Sequence, residues 1–181
     1  MKKSSILPLL ALAIIMLISS NLSAQKFKGL DKSPMDAAAY PTSYKEANKA
    51  IKIIYSRPQL KGRDLSTLAP NGKVWRTGAN EAPELTLYED MNLGNTLIEA
   101  GTYTFYVIPG DKEWIAIISK DINAWGAYTY NEANDVARLS VPVSSSKESL
   151  EAFSIVFDEG NNAINMHLGW GTIRVTVPFT K

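Results

Sequence analysis

The chain of 181 residues has no cysteine, a single histidine and only five arginines, and its charges nearly cancel, 19 basic against 18 acidic. Without cysteine there is no disulfide framework, no thiolate metal site and no thiol nucleophile, so stability has to come from a packed core. His167 is a poor start for a transition-metal centre, which takes three or four N, S or O ligands. It alternates with Ile164, Met166 and Leu168 on the polar side of its segment, beside Asn165, and reads as a surface or rim residue. The charge balance argues against nucleic-acid binding, whose affinity rests on a basic surplus. A Gly-x-Ser-x-Gly nucleophile elbow and a glycine-rich phosphate loop are both missing. Nor does the pattern identify a positioned carboxylate pair for glycoside hydrolysis, since nothing sets Glu81 opposite Glu84 or Asp135. No catalytic residue, metal or cofactor is therefore assigned.

What is present begins with Lys2 and Lys3, an apolar run from Ile6 to Ile18, and the small-residue site Leu22-Ser23-Ala24. The run is shorter than the roughly 20 residues of a membrane-spanning helix, so residues 1–24 are expected to be a signal peptide cleaved after Ala24. No cysteine follows to accept a lipid, and the expected location is the periplasm or the cell exterior. Without Lys2 and Lys3 the remaining charges are 17 basic and 18 acidic, a formal −1. That length suits one domain with one core.

Residues 25–48 lack a sustained period and read as an arm. Within it Ser33-Pro34 and Tyr40-Pro41 discourage helix on either side of Met35–Ala39, although the alanines could hold one turn. Residues 49–181 read as the folded domain. Ile51, Ile53 and Tyr55 alternate with Lys52 and Ile54 in the period of a strand. Glu84–Tyr88 and Met91–Ile98 are read as a pair. Gly101–Pro109 is β-branched and aromatic on both faces, the mark of a central strand. Gly110-Asp111 turns it into Trp114–Ile118 as a hairpin. Asp135–Val143, Ala152–Phe157, Ile164–Leu168 and Ile173–Val177 follow, the last two separated by a turn at Gly169-Trp170-Gly171. About nine or ten strands without crossover helices predict an all-β, single antiparallel β-sandwich, jelly-roll or immunoglobulin-like in topology.

The chemistry concentrates in Asn71–Glu81, where Trp75, Arg76, Asn80 and Glu81 crowd between glycines and a proline. Arg57 and Arg63 precede it, and three guanidiniums that converge would form an anion site. Trp125 and Tyr128 open a second aromatic stretch beside amides and carboxylates, a composition that suits stacking on sugars and other flat polar ligands. The leading expectation is a module that binds a small anionic or hydroxyl-rich ligand, a sugar or envelope fragment. Arg57, Arg63 and Arg76 would anchor it, Asn80 and Glu81 orient it, and Trp75, Trp125 and Tyr128 supply apolar faces. A structural or protein-interaction module, in which these residues only brace loops, is the alternative from another class. A hydrolase using Glu81 and a water is a third.

These residues also carry a likeness. Tyr55-Ser56-Arg57-Pro58, Lys61-Gly62-Arg63, Gly72–Glu81, Ala100-Gly101-Thr102-Tyr103 and Trp125-Gly126-Ala127-Tyr128 resemble, in order and spacing, the secreted bacterial family known as domain of unknown function 2911. The resemblance runs from about Ser33 to Phe179. It implies a signal peptide and a single β-rich domain, and carries over no reaction, ligand or catalytic residue. The chain departs from the family pattern at Pro83, where a threonine is usual, and in Asp64–Pro70, which lacks the usual aromatic and glycine.

Overall fold

The alternation at the start of the domain is realised as a strand whose odd-numbered side chains enter the core. Ile51 and Ile53 are fully buried and Tyr55 nearly so, while Lys52 and Ile54 are half-buried. A computed structural model describes residues 25–181; the signal-peptide reading falls on residues 1–24, outside them. Residues 25–30 are exposed and carry no regular structure. Residues 31–181 form one compact unit.

That unit is all-β. Its strands are β1 (Met35–Tyr40), β2 (Ile51–Ser56), β3 (Glu84–Leu87), β4 (Met91–Leu93), β5 (Thr96–Ile98), β6 (Gly101–Ile108), β7 (Glu113–Ser119), β8 (Asp135–Gly160) and β9 (Ala163–Thr180). Every neighbouring pair is antiparallel, in the order β1-β2-β3-β6-β7-β8-β9-β4-β5. The β6–β7 hairpin is the one read from sequence, with Tyr106 opposite Ile117 and Val107 opposite Ala116.

Four expectations are corrected. The strands expected in two separate sheets are hydrogen-bonded into one sheet of nine, because β8 runs for 26 residues. Its first part, Asp135–Pro142, pairs with β7, and its remainder, Val143–Gly160, pairs with β9. The turn expected at Gly169–Gly171 is instead the interior of β9, with Gly171 at φ +54°. There β8 takes five steps, Ser145 to Leu150, against two on β9, so the surplus is absorbed by an irregularity rather than a reversal. Met91–Ile98 does not pair with β3; it folds on itself as the β4–β5 hairpin and joins β9. The alanine run of the arm is β1, an edge strand matched to β2 from Met35↔Ser56 to Tyr40↔Ile51, because prolines at both ends disfavour a helix there.

The core gathers one face of these strands, with Leu85, Leu87, Phe105, Val107, Trp114, Ile118, Phe153, Met166, Trp170 and Val177 all buried. The opposite face of the central strands is also sealed where Tyr106 and Ile117, both without solvent exposure, face away from that cluster. Among the described residues no helix is long and apolar enough to cross a membrane.

Candidate functional site

The stretch Asn71–Glu81 runs beside β6 for one bridge and then leaves it. Trp75 N–H donates to the Val107 carbonyl (2.8 Å) and Val107 N–H to the Trp75 carbonyl (3.1 Å). This pairing turns the Trp75 ring into the core, stacked on Trp170 at 5.4 Å and edge-on to Phe153 at 5.2 Å. Trp75 is consequently 6% exposed and offers no face to a ligand. The chain then bends through Thr77 at φ +53° and Asn80 at φ +60°, so the strand-like alternation of Lys73, Trp75 and Thr77 stops there. Thr77 is fully buried and its Oγ1 donates to the Trp75 carbonyl (3.3 Å). Next in register after the Trp75↔Val107 bridge, Arg76 falls beside Tyr106, on the face opposite Trp75.

A second segment closes over that face. Glu81 and Trp125 form an antiparallel bridge, Ala82 N–H donates to the Ala124 carbonyl (2.9 Å), and Gly126 N–H donates to the Asn80 carbonyl (3.0 Å). The aromatic stretch is thus fastened to the end of the central motif. Gly126 takes φ +69°, and a Cβ on it would stand 2.8 Å from the Tyr128 ring and 3.8 Å from Arg76 Nη1, so only glycine lets the three lie together. Trp125 is 60% exposed and Tyr128 81% exposed. Glu81 lines a small cavity of about 130 Å³ with Thr104 and Asn123. The backbone at Asn80 and Glu81 is thus joined to the segment that carries Trp125 and Tyr128, and Arg76 Nη1 and the Tyr128 ring both lie beside Gly126.

Arg57 and Arg63 do not share in it through their donors. Arg57 Nε–H donates to the Phe153 carbonyl (3.1 Å), Nη1 to Asp36 (3.0 Å) and Nη2 to Ser154 Oγ (2.7 Å), which ties the end of β2 to β1 and β8. Arg63 Nε–H donates to the Leu60 carbonyl (3.0 Å) and Nη2 to the Gln59 carbonyl (2.8 Å), bracing its own loop. Arg76 differs from both. Among the described residues it enters no ion pair, and its Nε is sealed from solvent without a hydrogen-bond partner. An uncompensated buried donor on a cation is costly, although the Arg76 side chain as a whole is only half-buried.

Beneath the covering segment lies a polar group that the sequence reading missed. The Tyr106 and Tyr130 rings meet edge to face at 5.2 Å. Tyr130 OH donates to Asp135 Oδ2 (2.7 Å), which also accepts from Arg138 Nε–H (2.6 Å). The Tyr106 hydroxyl and Asp135 Oδ1 are buried without a partner. Burial, with Asp121 and Asp135 nearby, pushes the Tyr106 phenol up to about 12. Burial and the hydrogen bond to Asp135 push Tyr130 up to about 12 as well, against the opposing pull of Arg138. The signal that pointed here was the aromatic and β-branched character of both faces of β6, which required a cover on each. His167 is placed elsewhere, on β9, with Nδ1 2.8 Å from Thr176 Oγ1 and Nε2 3.0 Å from Asp158.

The family described as Protein of unknown function (DUF2911) matches residues 33–179. This chain belongs to the DUF2911 family. The DUF2911 match extends from just before β1 to one residue short of the end of β9, so the central motif and the segment that covers Arg76 both lie within it. No curated protein and no solved structure matches this DUF2911 chain.

Proposed function

We propose that this DUF2911 protein is a binding module for a small anionic or hydroxyl-rich ligand, held at Arg76 and covered by the rings of Trp125 and Tyr128. The observation that carries the reading is the state of Arg76, a cation with a sealed, unpartnered Nε and no carboxylate paired to it among the described residues. A planar guanidinium suits a carboxylate or sulfate, and exposed indole and phenol rings suit the apolar face of a sugar. Asn80 and Glu81, fastened to the same segment, are set to orient hydroxyls. The reading keeps a layered architecture, supported by Tyr55 OH from β2 accepting the Ile155 N–H of β8 at 2.9 Å and by the edge-on Tyr55–Phe153 pair. It also places the protein outside the cytoplasm, which the leader-like first 24 residues support.

For Arg57 the bracing role is favoured, because its donors are engaged with the Phe153 carbonyl, Asp36 and Ser154; Arg63, held by two carbonyls of its own loop, takes no part in holding this ligand. Titration calorimetry with D-glucuronate, D-glucose and inorganic sulfate is the test. Glucuronate or sulfate is expected to bind, and Arg76→Ala to weaken the binding at least tenfold while circular dichroism stays native. Failure of all three to bind the wild type at millimolar concentration overturns the reading.

A further inference from the structure

Another cleft, without Arg76 in its lining, opens elsewhere in the molecule. It measures about 480 Å³, within the roughly 300–1,000 Å³ usual for small-ligand pockets. The loop after β2, the β6–β7 turn and the irregular stretch of β9 supply its walls. Leu60, Leu65, Ala69 and Ile173 supply apolar lining, together with Trp114, itself almost fully buried.

Its charges are the informative part. Arg63, Asp64 and Asp111 all line this one cleft, yet among the described residues none of the three enters an ion pair. Two local carbonyls hold the Arg63 guanidinium by Nε and Nη2, leaving Nη1 uncommitted. The Asp111 carboxylate is fixed by Asn71, whose Nδ2 donates to Oδ1 at 2.5 Å, and its second oxygen is uncommitted. A cation and an anion that line one cleft without pairing with each other are complementary to a molecule carrying both charges. The apolar wall sets what lies between those charges.

We infer that this cleft binds a short apolar peptide with both termini free, its carboxylate on Arg63, its ammonium on Asp111 and its side chains against Leu60, Leu65 and Ile173. Asp64, beside Arg63, adds a second negative charge at the rim and disfavours ligands that are anionic overall. The inference does not rest on the Arg76 reading, and the two sites are tested by different ligands.

The probe is the dipeptide Leu-Leu, titrated beside N-acetyl-Leu-Leu, which lacks the ammonium, and Leu-Leu amide, which lacks the carboxylate. Leu-Leu is expected to bind wild-type protein at least tenfold more tightly than either blocked form. Arg63→Gln should make Leu-Leu and its amide bind alike, Asp111→Asn should do the same for Leu-Leu and its acetylated form, and Arg76→Ala should leave all three affinities unchanged. No binding of Leu-Leu at millimolar concentration, or equal binding of the three peptides to the wild type, overturns the inference. That comparison stands even if a variant fails to fold.

Discussion

Trp75 and Arg76 are neighbours in sequence with opposite surroundings, because a single bridge to Val107 sends one ring into the core and the other side chain to the far face. Trp75→Ala should therefore cost about 3 to 5 kcal/mol of unfolding free energy, as core aromatic truncations do, read from urea denaturation. Arg76→Ala should change stability by less than about 1 kcal/mol or raise it, since removing an unpartnered buried donor relieves a desolvation cost. The same logic applies to Tyr106, whose hydroxyl is buried without a partner. Tyr106→Phe is expected to leave the urea midpoint at neutral pH unchanged or slightly higher; a loss of 1 kcal/mol or more would mean the hydroxyl is in fact bonded. At this scale the candidate residues were legible in part. Arg76, Asn80, Glu81, Trp125 and Tyr128 stood out by type and crowding, whereas the engagement of Arg57 with Phe153 and Ser154 depends on partners about a hundred positions away, which no local pattern carries.

Among the elements, β8 and β9 differ most from the expected meander. Polar Ser144–Lys147 and the glycines around Trp170 read as breaks, yet both strands continue through them, because cross-strand hydrogen bonds on either side hold the irregular middle. Gly171 is the residue that permits this in β9. It sits at φ +54° with its nearest neighbour, Leu60 Cδ1, at 3.8 Å from where a Cβ would be, so alanine there makes only an ordinary contact but takes an unfavourable backbone. Gly171→Ala should cost about 1 to 2 kcal/mol, the penalty of a left-handed conformation for a non-glycine residue, without altering the core, and denaturant unfolding with an unchanged m-value would show it. β2 and β3 were legible by their alternation, and β6 and β7 by apolar runs joined through a short turn, because both patterns are local. β1 was not, since three alanines have no face to reveal and only the pairing with β2 makes them a strand.

For the whole molecule the two raised phenols give a sign that can be checked. Tyr106 and Tyr130 are held up to about 12 in the folded protein, above the usual value of 10.0, so the folded state keeps its protons where the unfolded chain has lost them. Their contribution is complete below about pH 10 and is lost as pH rises toward 12. Stability should fall steeply across that window, and Tyr130→Phe should flatten the fall when urea midpoints are measured from pH 8 to 12. Asp158 acts in the opposite direction. Its carboxyl is held below the usual range by hydrogen bonds from His167 and then Asn165, so its small contribution is present above the unfolded carboxylate value and disappears as pH falls through the folded one. With no cysteine in the chain, reductant should leave the melting temperature unchanged.

Sequence alone determined the all-β class, the β6–β7 hairpin, the alternating core positions of β2 and β9, and the family, because side-chain direction along a strand and the order of motif residues are local properties of the chain. Tertiary structure decided that nine strands share one hydrogen-bonded sheet, that Trp75 is core and Arg76 is not, and that Glu81 meets Trp125. Those outcomes depend on which distant segments close loops onto one another, and the free energy of that choice resides in backbone pairing and burial that neighbouring residues do not encode.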